Sequence, residues 1–208
     1  PKSILKIDDN IYVEAKNKTK DEIVHNPFKK LNKYGSIVIH NFFDEKTMSN
    51  FENENEDEFN EIDATPSNFT SRSKNLYLTK SLSKMWLNET LIRILENYIK
   101  KMPTARTYPD ISSVTPLHNY NPEIKTDYAG VWHVDHATLI QIAIFFTDVT
   151  SKDTHMETIV GSHTYPNITV NGPISNEYVK SKNFKIGRCI GPRGSVQIHC
   201  GNIYHRIW

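Results

Sequence analysis

Apolar and polar residues are spaced differently in the two parts of this chain. Up to about residue 110 the apolar positions recur at helical intervals, broken by one alternating stretch. Residues 1–25 are polar and lysine-rich and read as peripheral, with one short strand at Ile11–Val13. Asn26 and Pro27 suit the cap and first turn of a short helix through Phe28 and Leu31, which Gly35 ends. Ser36–Phe43 alternates as a strand, with Ile37 and Ile39 on one face. Asp44 caps the next helix, where Met48 and Phe51 lie one turn apart. Its tail, Glu52–Glu58, is acidic and reads as a solvated face. A loop follows over 61–80, with a short strand near Leu76–Leu78. Asn88 then caps a helix whose Leu91, Leu95, Tyr98 and Ile99 form a core-facing stripe, and Pro103 stops it.

Beyond residue 110 the period changes. Short segments rich in β-branched and aromatic residues alternate with Gly, Pro, Asn and Asp turns: Ser112–Tyr120, Gly130–Asp135, Leu139–Thr147, Glu157–Val160, Phe184–Cys189, Ser195–His199 and Ile203–Trp208. Closely spaced strands with no helical pattern between them predict an antiparallel barrel or a double-sheet jelly roll. The expected class is α+β: a double-stranded β-helix (jelly roll) with N-terminal helices packed against it. A chain of 208 residues fits one domain over 1–208. Within it, 1–29 is the peripheral segment, 30–109 the helical and strand support, and 110–208 the jelly-roll core. Because the last strand runs to Trp208, the core is expected to continue past that residue.

Composition narrows the function. With 25 basic and 24 acidic residues the net charge is +1, which asks for neither nucleic acid nor an anionic membrane surface. Cys189 and Cys200 are too few for a disulfide framework, so a reducing, cytoplasmic setting is expected. No apolar run reaches the length of a membrane span.

The chemistry lies among the nine histidines, most of which are expected to be ordinary hydrogen-bonded residues. His133 differs because Asp135 stands two positions on. In a strand these two side chains share a face, about 7 Å apart along the backbone, and can converge on one ion. His136 should face the opposite way. His205, on the last strand, is the best third ligand. Two histidines and a carboxylate form the facial triad of non-haem Fe(II) oxygenases, which leaves positions open for a bidentate co-substrate and for O2. A closed zinc site would call for more nitrogen and sulfur than this chain supplies. Among the other histidines, His163 reads as a turn cap and His199 as a core or supporting residue; His118 and Asn119 are candidates to border the pocket. Trp132 and Tyr204, next to ligands in sequence, should face away from the metal, as should Arg206.

Around these residues the chain resembles the phytanoyl-CoA dioxygenase family. Tyr34-Gly35-Ser36-Ile37-Val38-Ile39 with Phe42-Phe43-Asp44 is similar to the family's opening strand and following helix, and Trp132-His133-Val134-Asp135 to its first two metal ligands. Gln141–Val149 looks like the next core strand, and Thr154–Val160 with Gly161-Ser162-His163 like the strand ending in a Gly-Ser-His turn. Gly194-Ser195 through Tyr204-His205-Arg206 is similar to the strand pair that brings in the distal histidine. The resemblance covers roughly residues 30–208.

It implies His133, Asp135 and His205 as metal ligands and catalytic centre, with Fe(II), 2-oxoglutarate and O2 as reactants and succinate and CO2 as products. It further implies a small-molecule substrate, and hydroxylation or a related oxidation rather than halogenation, because Asp135 is present. The family's arginine for the far carboxylate of 2-oxoglutarate falls on a strand after the distal histidine, past Trp208. Within the chain, Lys80, Tyr128 and Thr138 are polar candidates for contacts to the co-substrate. Two other functions fit the same residues: a cupin-like metal enzyme that does not use 2-oxoglutarate, and a non-catalytic jelly-roll binding protein. Oligomeric state is not legible, and loops 61–80, 121–129 and 166–183 are expected to frame the pocket.

Overall fold

The computed structural model describes residues 5–56, 80–99, 130–135, 139–164 and 173–208. The expected strands near Leu76–Leu78 and over Ser112–Tyr120 lie outside the described residues, as do Pro103, Tyr128, His136 and Thr138. So do His118 and Asn119. The elements in chain order are β1 (Lys6–Ile7), β2 (Tyr12–Glu14), α1 (Lys20–Tyr34), β3 (Ser36–His40), α2 (Glu45–Glu54), α3 (Lys80–Trp86) and α4 (Glu89–Ile99). They continue with β4 (Ile140–Ile144), β5 (Met156–Ile159), α5 (Asn176–Ser181), β6 (Lys185–Cys189), β7 (Val196–Cys200) and β8 (His205–Ile207).

The helices start and stop where side chains can satisfy the free ends of their backbones. The first helix begins earlier than Asn26-Pro27. A reciprocal capping box sets its start: the Thr19 hydroxyl accepts from the Glu22 amide, and the Glu22 carboxylate accepts from the Thr19 amide. That box offsets the backbone hydrogen bond lost at Pro27, which lies inside α1 with its ring buried. Gly35 closes the helix in the left-handed conformation, at φ 76°. Asp44 caps α2 by accepting from the Thr47 amide at 2.8 Å, and Asn88 caps α4 by accepting from the Leu91 amide at 3.1 Å.

Two four-stranded sheets carry the rest, in the orders β1-β6-β5-β8 and β2-β3-β7-β4. Most neighbours are antiparallel, but β1 pairs with β6 and β2 with β3 in parallel. The N-terminal segment, read as peripheral, thus supplies an outer strand to each sheet, and Ile11 between those strands is fully buried. A second departure concerns the loop expected over 166–183. Part of it is α5, capped by the Ser175 hydroxyl and anchored by the buried Val179, a helix too short to show a repeating apolar pattern.

Burial defines the layers. Ile37 and Ile39 of β3, with Val196 and Ile198 of β7, face the helices and pack against Val24 and Leu31 of α1, Met48 and Phe51 of α2, Met85 of α3 and Leu91 and Ile94 of α4. The alternate residues of β3 point between the sheets, where Val38 meets Ile11, Val160 and Cys189. On the far side of the other sheet, Ile159, Ile186 and Tyr204 pack with Trp132, Ile174 and Val179. Each Leu, Ile or Phe side chain so buried contributes about 1.5–3 kcal/mol of transfer free energy.

Polar interactions tie this framework down at two places. Arg193, in the turn before β7, grips Glu52 through Nη1 and Nη2 at 2.5 and 2.7 Å and reaches Glu45 through Nε at 3.0 Å. Within the described part of the acidic tail, Glu52 is therefore a counterion and Glu54 accepts from the Ser81 amide at 2.8 Å, while both Glu54 and Glu56 are exposed. Behind β8, the buried Arg206 donates through Nε and Nη2 to Glu157 at 3.0 and 2.7 Å and through Nη1 to Asn176 at 2.7 Å. Its guanidinium stacks on Trp132 and on Trp208, 4.5 Å from each ring centre, and the Trp132 indole also donates to Asn176, at 2.9 Å.

Two stability outcomes follow. Glu157→Gln strands Arg206 and Arg188 without their carboxylate and is expected to cost about 3–5 kcal/mol, read from the urea unfolding midpoint at unchanged slope. Gly35→Ala forces a side chain into the left-handed region, at about 1–2 kcal/mol for the backbone alone. Its Cβ would also run into the His163 ring, so the same measurement should show a larger loss.

Candidate metal centre

His133 and His205 face each other across an antiparallel bridge. The His133 amide donates to the His205 carbonyl at 3.0 Å, and the His205 amide donates back at 2.9 Å. Two residues on, the Asp135 amide donates to the Gly201 carbonyl at 2.7 Å, so the segment carrying His133 and Asp135 is held along its length. The pleat turns both imidazoles to one face and sends Trp132 and Arg206 to the other.

On that face the rings lie 4.3 Å apart, centre to centre. Asp135 comes between their outer nitrogens, with Oδ1 4.0 Å from His133 Nε2 and Oδ2 3.5 Å from His205 Nε2. Ligand atoms of all three residues fall within 4.8 Å of one another. An ion bound at about 2.0–2.2 Å spaces adjacent ligand atoms roughly 3 Å apart, so small side-chain movements would bring these three onto it. They are the only such group among the described residues.

Hydrogen bonds fix the protonation pattern. Nδ1 of His133 lies 2.7 Å from the Val131 carbonyl, and Nδ1 of His205 lies 3.0 Å from the Ile203 carbonyl. A carbonyl only accepts, so each Nδ1 carries a proton, and each ring in its neutral form presents its Nε2 lone pair toward the cluster. Burial lowers the pKa of His205 below the ordinary histidine value, which keeps the ring neutral and ready to ligate near neutral pH. The Gln141 amide of β4 holds Asp135 by donating to Oδ2. This residue was not singled out from sequence, although its alternate position on a strand following the His-x-Asp pair was the available signal.

The remaining candidates sit as follows. Lys80 opens α3 and is exposed in the helical layer. His163 donates through Nε2 to the Asn32 carbonyl at 3.1 Å, so it caps the end of α1 rather than its own turn. His199 is buried in β7 beside His205, with ring centres 5.1 Å apart, and burial, with repulsion from His205 and His133 whenever those rings are protonated, lowers its pKa to about 3. Both cysteines are free and buried. No helix among the described residues is long and apolar enough to cross a membrane.

No family model matches the chain, and no curated protein matches it by sequence. Solved structures do. The non-heme alpha ketoglutarate dependent carbocyclase SnoK from nogalamycin biosynthesis is similar with a TM-score of 0.62 at 14% identity, over 91% of this chain and 79% of that one. AviO1 from Streptomyces viridochromogenes Tue57 gives 0.55 at 12% identity, over 86% of this chain and 84% of its own. The non-heme alpha ketoglutarate dependent epimerase SnoN from nogalamycin biosynthesis gives 0.55 at 12%, over 86% of this chain and 72% of that one. A further SnoN structure is a complex with Fe3+, alpha ketoglutarate and nogalamycin RO. At these identities the chain shares their fold.

Proposed function

We propose that this chain is a non-haem Fe(II)- and 2-oxoglutarate-dependent oxygenase of the phytanoyl-CoA dioxygenase type, built on a jelly roll and acting on a small molecule. The observation that carries this reading is the convergence of His133, Asp135 and His205, with both imidazoles fixed so that Nε2 is free to ligate. Two neutral imidazoles and one carboxylate match the ligand set of a facial Fe(II) site. The named cofactors of SnoK and SnoN, which share the fold, support the same assignment.

Bound Fe(II) with 2-oxoglutarate and O2 supplies the oxidising power, and succinate and CO2 leave. The protein's own contribution is orientation. His133 and His205 present nitrogen lone pairs from rigid, mutually hydrogen-bonded strands. Asp135 supplies the anionic ligand, and Gln141 sets its rotation by occupying one carboxylate oxygen. The near-neutral surface suits a small molecule better than a nucleic acid.

Anaerobic addition of Fe(II) and then 2-oxoglutarate is expected to produce a weak visible charge-transfer band, and His205→Ala is expected to abolish it. A featureless titration of the wild-type protein would refute the assignment. Succinate release coupled to O2 uptake separates it from a metal enzyme that does not use 2-oxoglutarate. Gln141→Leu frees the Asp135 carboxylate and is expected to weaken metal binding by about 10–100-fold while the fold is retained, as measured by competition with a chromogenic chelator.

A further inference from the structure

One buried donor beside the triad has no acceptor among the described residues. His199 is 1% exposed, next to the last residue of β7, and its Nε2 has no hydrogen-bond partner there. The state of this ring follows from its neighbours. The Gln197 amide nitrogen lies 2.9 Å from the Met156 sulfur and 3.2 Å from His199 Nδ1. A thioether only accepts, so the sulfur settles which end of the amide is the NH2 group. Its second hydrogen then goes to Nδ1, which must hold a lone pair. The ring proton of His199 is therefore on Nε2.

A buried, unmatched N–H donor costs about 1–3 kcal/mol and is rare in a native interior. Its surroundings indicate what it is for. In the register of the sheet, His199 stands between Ser36 on β3 and Gln141 on β4. Gln141 is the residue that holds Asp135, and the His199 ring packs against that of His205. Ser36, His199 and Gln141 thus form a polar row leading to the triad, whereas the adjacent residues Ile37, Ile198 and Ile142 belong to the helix-facing core.

We propose that His199 is a binding residue for the co-substrate, donating its Nε2–H to a carboxylate oxygen of 2-oxoglutarate. The inference rests on the oxygenase reading above. A carboxylate is the natural acceptor, because a charged acceptor makes the stronger hydrogen bond and the row offers it no competing negative group. Gln197 and Met156 then serve to hold the ring in the tautomer that donates.

The test is the anaerobic titration of Fe(II)-loaded protein with 2-oxoglutarate, read by the charge-transfer band, for wild type, His199→Leu and His199→Gln. We expect Leu to raise the dissociation constant by about tenfold or more, and Gln, which keeps an N–H donor, to recover part of that loss. Equal affinity in wild type and His199→Leu would overturn the inference while leaving the oxygenase reading standing. No band in wild type would overturn both. Should His199→Leu fail to fold, the wild type still decides. In Zn(II)-loaded protein labelled with 15N-histidine, the Nε2–H resonance of a buried neutral ring is expected to move downfield when 2-oxoglutarate is added, and an unmoved resonance would overturn the inference.

Discussion

The pairing of His133 with His205 is the constraint on which the rest depends. It is a single antiparallel bridge, closed by two backbone hydrogen bonds. Because a strand alternates its side chains, that bridge sorts the residues around it onto two surfaces. One carries the histidines and, two residues on, Asp135. The other carries Trp132 and Arg206, which are stacked on each other and joined through Asn176. The ligand face is therefore backed by a buried ion pair. Any shift of one strand against the other would break both the bridge and the Trp-Arg-Asn contacts behind it.

This arrangement explains why polar groups are concentrated at this end of a largely apolar interior. Glu157 and Arg206 are both buried, a placement that apolar residues of similar size could often match in stability. What the pair adds is register: two N–H groups of Arg206 converge on Oε2 of Glu157, a contact between paired residues of β5 and β8 that holds only when Glu157 faces Arg206. The hydrogen bonds donated by Nδ1 of His133 and of His205 act in the same way, since each fixes the ring against the carbonyl two residues before it. Preorganisation of this kind lowers the cost of assembling a metal site from mobile side chains.

Much of this was legible in the sequence. The β-branched alternation of Ser36–His40, the caps at Asp44 and Asn88 and the left-handed stop at Gly35 are local signals, and local physics decided them. The His-x-Asp spacing anticipated that His133 and Asp135 would share a face, as residues two apart do along an extended chain. One local signal was passed over: the Thr19-x-x-Glu22 capping box starts α1 ahead of Asn26-Pro27. The rest depends on distant partners, and nothing near Gln141 reveals which carboxylate it will meet. The buried state of His199, and so its unmatched proton, follows from packing against strands far away in the chain.

The two N-terminal outer strands carry a consequence for how the molecule reaches this state. β1 lies in parallel against β6, and β2 against β3, which in turn needs β7 as its other neighbour. The earliest residues therefore wait for some of the last before either sheet can close. Such a layout ties up loop entropy before it rewards the chain, and domains of this kind fold on the slow side of the millisecond-to-second range. The N-terminal helices are therefore made before β7 and β4, which complete the sheet that covers their apolar faces.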